Sequence, residues 1–185
     1  MAVLPIYTYG TRVLRKKALP VRQVTDELIQ LIMDMFETMH KANGIGLAAN
    51  QVGILQRVIV VDVSDVEGFE EVKPLVLINP EVRSQEGHWV VEEGCLSIPD
   101  VRDDVERAET ITVRYKDTSF GDVELTAEGL LARVILHEID HLNGVLFIDH
   151  LPSPKRKEHS EELTRIRRGE MEVSYPVVIG TKVSV

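Results

Sequence analysis

The stretch "LLARVILHEIDHLNG", residues 130–144, carries two patterns at once. Leu130, Leu131, Val134, Ile135, Ile139 and Leu142 recur at the spacing of one helical face, Thr126 stands where a helix cap belongs, and Gly144 supplies a stop. Inside that helix His137 and His141 lie four residues apart, slightly more than one turn, so both imidazoles rise from one face at bonding distance from a single ion. Glu138 directly follows the first histidine, and His-Glu-x-x-His on a helix reads as two metal ligands plus a general base for water. The apolar face buries the helix against a sheet, and a buried histidine needs a partner for its ring nitrogens. The competing reading is an ordinary amphipathic helix with two surface histidines. A third ligand, and a group able to stabilise developing negative charge, would decide between them.

Working outward, "EEGCLSIP" (residues 92–99) holds the only cysteine, Cys95. One cysteine forms no internal disulfide, so it is either a small buried hydrophobe or a sulfur with a chemical task. Gly94 lets the backbone turn sharply there, which suits a ligand on a loop. A thiolate beside two imidazoles leaves the fourth tetrahedral position for water, as catalytic sites do. Further upstream, "GIGLAANQVG" (residues 44–53) has Gly44, Gly46, Ala48 and Ala49, all small enough for a ligand to approach the backbone. It matches neither phosphate-cradling template, because a helix precedes it and no Gly-Lys-Ser/Thr follows, so no nucleotide cofactor is expected. Gln51 reads equally well as an amide donor to an oxyanion or as a turn glutamine facing solvent.

Around these motifs, Thr25, Asp26 and Glu27 open a helix over about 26–42. "RVIVVDV" (57–63), "KPLVLINP" (73–80), "HWVVEEG" (88–94) and "ITVRYKDTSFGDVEL" (111–125) read as strands, the last as two around a glycine turn. "SPKRKEHSEELTRIRRGE" predicts an exposed helix ending near Gly169, and "MEVSYPVVIGTKVSV" either adds an edge strand or extends irregularly, Pro176 opposing a central strand. The expectation is an α+β fold, with mainly antiparallel or mixed sheets packed around a central metal-binding helix. No linker divides residues 1–185, so one catalytic domain is expected, with 152–185 as a charged helix and variable tail.

With 44% hydrophobic and 28% charged residues the composition is ordinary for a globular chain. No segment has membrane-spanning length and the first twenty residues lack a continuous apolar core, so a soluble cytoplasmic protein is expected. A net charge of −9 argues against broad electrostatic binding of nucleic acid.

Taken together and in this order, "GIGLAANQVG", "EEGCLSIP" and "LHEIDHLNG" resemble the peptide deformylase family, and "PIYTYGTRVLRKKA" and "GVLFIDHL" are similar to it as well. The resemblance thins after about Pro152, and the C-terminal tail departs from it. It implies that Cys95, His137 and His141 bind one divalent metal, with water as the fourth ligand and Glu138 as acid/base. It further implies that Gln51 and the Leu96 backbone N–H hold the oxyanion, that Ile45 and Gly46, in the loop opened by Gly44, hold the substrate backbone and shape a methionine pocket, and that Arg102 stands near the entrance. Iron(II) is the metal it implies first, while zinc, nickel or cobalt also suit this donor set. The substrate implied is the formyl-Met end of nascent polypeptides, which would lose formate.

Several residues stay open on sequence alone. Glu93 lines the site or is a solvated carboxylate; Asp140 orients a ligand histidine or pairs with an arginine; Arg133 reaches the pocket rim or faces solvent. His40, His88, His150 and His159 read as core, cap or surface residues rather than ligands. Lys155, Arg156, Lys157, Arg165, Arg167 and Arg168 read first as a solvated helix face, although the resemblance permits ribosome docking there. Two rivals keep the same residues: a metallopeptidase using the same water chemistry on a peptide bond, and an idle domain that only binds metal or formylated peptides.

Overall fold

The computed structural model describes residues 1–180; the last five residues of the tail lie outside the described residues. In order, the chain forms β1 (Ile6–Tyr7), α1 (Asp26–Lys41), β2 (Gly46–Ala48), β3 (Val58–Val61), β4 (Leu75–Glu86), β5 (Trp89–Cys95), β6 (Ile98–Arg107), β7 (Thr110–Lys116), β8 (Asp122–Glu128), α2 (Gly129–Leu142), α3 (Ser153–Glu158), α4 (Ser160–Arg168) and β9 (Val177–Val178). Strands β2-β3-β4-β7-β8 make one antiparallel sheet in that order, β5 and β6 a separate hairpin, and β1 pairs with β9 in parallel. The fold is therefore α+β, with mixed sheets as the sequence predicts.

Strand β3 shows why the layers stack as they do. All four residues are buried, and successive side chains point to opposite faces. Val58 and Val60 meet Leu28, Ile32, Met35 and Met39 of α1, whereas Ile59 and Val61 meet Ala132, Ile135 and Ile139 of α2. The sheet thus lies between two helices. A third apolar cluster joins β6 to α4 through Ile98, Val101, Val105, Leu163 and Ile166. Helix α1 begins where the sequence indicates: the Thr25 hydroxyl accepts the Leu28 N–H at 3.3 Å, and Asp26 and Glu27 occupy the first turn.

Four expectations need correction. Thr126 does not cap α2, because β8 pairs with β7 as far as Thr110↔Glu128 and the ladder claims that backbone first. The helix instead starts at Gly129, whose φ of +57° lets strand pass directly into helix. The strand read as 73–80 continues to Glu86: Asn79 takes φ +52° at an irregularity in the β4–β7 register, and its amide bonds both the N–H and the carbonyl of Val21 at 2.8 Å. Strand β6 is new, its inward Val101 and Val105 masked in sequence by Pro99 and a run of outward charges. Lastly, the Gly-rich stretch is partly a strand, β2, followed by a 3-10 turn over Ala49–Val52.

The C-terminal region ends much as the sequence suggests. The charged segment breaks into α3 and α4 at His159 and stops at Gly169 (φ +77°). Beyond it β9 is an edge strand of two residues, with the Pro176 carbonyl accepting the Ile6 N–H at 2.9 Å. No helix among the described residues is long and apolar enough to cross a membrane.

Ile135 lies at 0% exposure on the face of α2 that meets the sheet. Ile135→Ala removes three buried carbon atoms there and is expected to destabilise the fold by about 2–5 kcal/mol, read from the shift in a urea unfolding midpoint.

Candidate metal centre

Helix α2 supplies His137 and His141, and the end of β5 supplies Cys95, where a register irregularity after Gly94 turns the strand towards the helix. One ligand atom from each of the three lies within 4.8 Å of the others, and Cys95 Sγ stands 3.2 Å from His141 Nε2. Metal–sulfur and metal–nitrogen bonds of about 2.3 and 2.0 Å place tetrahedral S and N ligands roughly 3.5 Å apart, so the spacing fits a shared ion. The donor chemistry fits as well, since one soft sulfur and two imidazoles leave room for a fourth ligand. Among the described residues this is the one group of three or more His, Cys, Asp or Glu side chains with such spacing.

The His137 ring is held from behind. His137 Nδ1 lies 2.9 Å from Glu93 Oε2, which leaves Nε2 facing the cysteine side. Glu93 is itself buried and takes both Arg107 Nε (2.5 Å) and Nη2 (3.0 Å), together with Arg133 Nη1 (2.7 Å). Burial opposes the charge on Glu93, but the hydrogen bonds and positive charges of His137 and Arg107 hold its carboxyl far below the usual range. Arg133 also donates to the carbonyls of Trp89 and Val105 and lies with its guanidinium carbon 5.0 Å from the Trp89 ring centre. Asp140 accepts Arg107 Nη1 and sits beside His150 Nε2, each at 2.8 Å. Of the open alternatives, Glu93 is the buried partner of a ring nitrogen, Asp140 pairs with an arginine, and Arg133 is buried rather than exposed.

Arg107 is the residue that sequence reading missed. It falls two residues after Val105 and four residues before Ile111, on the inward-facing register of β6 with Val101 and Val105, and an arginine on an apolar stripe was the available signal. The other histidines also behave as read: His40 pairs with Asp62, His88 with Glu106, and His159 with Asp103.

Burial drives the titration of Glu138 and His141, but not that of His137. Glu138 is 4% exposed, its Oε2 has no hydrogen-bond partner among the described residues, and its pKa rises to about 7 through burial, with the Glu93 charge adding and His137 opposing. Burial works against a charge on His137, yet Cys95 and Glu93 raise its pKa well above the ordinary value. His141 moves the opposite way, lowered by burial and then by the charges of His137 and Arg107. At 5.0 Å between ring centres the two imidazoles cannot both be cations cheaply.

Gln51 faces inward, not solvent. At 1% exposure its Oε1 accepts the Ala48 N–H at 2.8 Å, so its amide nitrogen points to Ser97 Oγ (3.2 Å) and Cys95 Sγ (3.7 Å). Gly46 is a steric necessity, since a Cβ there would lie 2.6 Å from Glu138 Oε1 and 2.7 Å from Val134 Cγ1. At Gly44 a Cβ would meet Leu96 Cδ1 at 2.7 Å. A cavity of about 700 Å³ opens onto this constellation, lined by Gly44, Ile45, Gly46, Gln51, Glu93, Cys95, Leu96, Arg102, His137 and Glu138. Arg102 stands exposed at its rim, 3.6 Å from Glu92. Every residue that the resemblance assigns to the site lines this cavity except His141, whose Nε2 lies 3.2 Å from Cys95 Sγ in the cavity wall.

The family model described as polypeptide deformylase matches residues 3–157. The peptide deformylase of Chlorobium phaeobacteroides (strain BS1) is 48% identical over 175 residues, 95% of each chain. Among solved structures, a peptide deformylase from Legionella pneumophila superposes with a TM-score of 0.83 at 41% identity, covering 91% of this chain and 98% of that one. A peptide deformylase from Ehrlichia chaffeensis in complex with actinonin also gives a TM-score of 0.83, at 36% identity, over 93% of this chain and 100% of that one.

Replacing Glu93 by Gln removes the one carboxylate that Arg107 and Arg133 share in the interior. Glu93→Gln is expected to cost about 3–5 kcal/mol of unfolding free energy, measured by denaturant titration at neutral pH. A loss below about 1 kcal/mol would mean that Asp140 already compensates Arg107, and the Trp89 and Val105 carbonyls Arg133.

Proposed function

Since the chain belongs to the peptide deformylase family of enzymes, we propose that residues 1–185 act as one catalytic domain that hydrolyses the N-formyl group from the formyl-methionine end of nascent polypeptides in the cytoplasm, releasing formate. The observation that carries this reading is the meeting of the Cys95, His137 and His141 donor atoms, at the wall of one cavity, with the buried carboxylate of Glu138, whose Oε2 has no hydrogen-bond partner among the described residues. Metal peptidases built on the same helix motif recruit a third histidine or a carboxylate more often than sulfur, so the thiol argues for deformylation.

Cys95, His137 and His141 would hold the divalent metal, iron(II) by preference, with zinc, nickel or cobalt compatible with the donors. When bound there, such an ion would polarise the formyl carbonyl and make water in the site more acidic. Glu138 takes the proton of the attacking water, a task suited to a carboxylate whose pKa burial raises to about 7. It then returns that proton to the departing amine, freeing the methionine N-terminus. The negative charge that develops on the formyl oxygen is met by the Gln51 amide N–H, whose direction the Ala48 contact sets, and by the backbone N–H of Leu96. Ile45 and Gly46 hold the peptide backbone, and the absence of a side chain at Gly46 leaves Glu138 room beside it. Glu93 keeps His137 in one tautomer. Arg102 meets the substrate at the rim.

The six basic side chains of α3 and α4 are all exposed and alternate with Glu158, Glu161 and Glu162. That mixture supports a solvated face; ribosome docking through it would require cosedimentation that disappears when the six are neutralised.

The deciding measurement is formate release from a formyl-Met peptide by anaerobically prepared protein of known metal content. Release that stops on chelation is expected. A fully metallated sample that releases none would remove the deformylase reading, and peptide cleavage without formate would favour a peptidase. Glu138→Ala is expected to keep its metal and lose turnover by about 100-fold or more, whereas Cys95→Ser is expected to weaken metal binding itself, read by metal analysis after dialysis.

A further inference from the structure

The tail beyond Pro152 does not leave the site. After α4 stops at Gly169 the chain returns across the molecule, and Glu172, Val173, Ser174 and Tyr175 line the same cavity as Glu138 and Cys95. The Tyr175 hydroxyl donates to the Leu96 carbonyl at 2.8 Å. Leu96 and Ser97 form the two-residue turn between β5 and β6, and the next carbonyl, that of Ser97, accepts the Tyr9 N–H at 2.8 Å. Each terminal segment of the chain thus grips one carbonyl of this turn. The two segments are tied to one another by the β1–β9 pairing, in which the Ile6 and Thr8 N–H groups donate to the Pro176 and Val178 carbonyls at 2.9 and 3.0 Å.

The side chain of Leu96 is confined as well, packed where a Cβ on Gly44 would stand. Leu96 is the residue whose N–H is assigned to the oxyanion, and an oxyanion donor is effective only when its direction is set before the charge appears. Its preceding neighbour, Cys95, is anchored towards the helix; the peptide that follows it is anchored by Tyr175. Burial, with Cys95 and Asp100 nearby, pushes the Tyr175 pKa up to about 12, so the hydroxyl keeps its proton at neutral pH.

We propose that the return segment Glu172–Tyr175 is a working part of the substrate site and that Tyr175 is a positioning residue, its hydroxyl holding the Leu96–Ser97 peptide so that the Leu96 N–H stays directed at the formyl oxygen. This rests on the deformylase reading above. It assigns Tyr175 a role that stops short of contact with the reacting atoms, and it makes the tail a wall of the cavity rather than a surface extension.

Tyr175→Phe separates these possibilities, because the β1–β9 contacts are made by backbone and survive the loss of one oxygen. With a formyl-Met peptide and the full-length metallated enzyme, kcat is expected to fall about 10-fold, less than the 100-fold or more of deleting an oxyanion donor outright. KM should stay within about twofold, as should affinity for the deformylated product peptide, with metal content and thermal midpoint unchanged. A kcat within about twofold of the parent overturns the proposal, and so does a kcat that falls only in step with lost metal or a lowered thermal midpoint, since that is a structural effect. If the parent enzyme itself releases no formate, the deformylase reading fails; if the parent turns over and Tyr175→Phe matches it, only the role of the tail fails.

Discussion

One buried carboxylate holds the site together. Glu93, on β5, is shared by His137 and Arg133 of α2 and by Arg107 of β6. The three candidate ligands come from two elements, a helix packed on the five-stranded sheet and a separate two-stranded hairpin, which lie in different apolar clusters. Their relative position is a tertiary matter, and apolar packing alone tolerates sliding that a metal centre cannot. Directional, charge-assisted hydrogen bonds in a low-dielectric interior resist that sliding strongly. The same carboxylate selects which nitrogen of His137 faces the cysteine, so register and chemistry are set by one group.

Around that anchor the fold solves a second problem, which is to keep one acid unpaired in the interior. An orphaned buried carboxylate oxygen is expensive, and among the described residues Glu138 Oε2 finds no hydrogen-bond partner. The sheet face made by Ile59, Val61 and Leu77 and the helix face made by Ala132, Ile135 and Leu142 supply the apolar burial that offsets it. Gly46 keeps β2 from filling the space beside the carboxylate. The raised pKa of Glu138 and the depressed one of Glu93 lie on the same helix–hairpin seam, and the difference is one of partners among the described residues: three for Glu93, none for Oε2 of Glu138.

The termini complete the cavity. A two-residue parallel pairing of β1 and β9 is weak by itself, yet it brings Tyr9 and Tyr175 to consecutive carbonyls of the Leu96–Ser97 turn.

Much of this was legible in the residues. The α2 periodicity, the four-residue histidine spacing, the small loop residues and the cap at Thr25 are local patterns, and local patterns survive without knowledge of neighbours. Hence the α+β architecture could be named from sequence, and so could Cys95, His137, His141 and Glu138 as residues that the fold brings together. Strand β6 could not, because Pro99 and its outward charges outweigh an inward stripe that only the hairpin makes meaningful; nor could the failure of Thr126 to cap, decided by ladder bonds to Thr110 and Ile111. The burial of Arg133 against Glu93, the pairing of Asp140 with Arg107 rather than a ligand, and the reach of Tyr175 to Leu96 span 40, 33 and 79 residues of chain. The sequence by itself determined which groups are present and which face of its helix or strand each occupies, since those follow from backbone period. Only the tertiary structure decided which of them share a charge, because Coulomb and hydrogen-bond energies depend on separations in space that no one-dimensional pattern encodes.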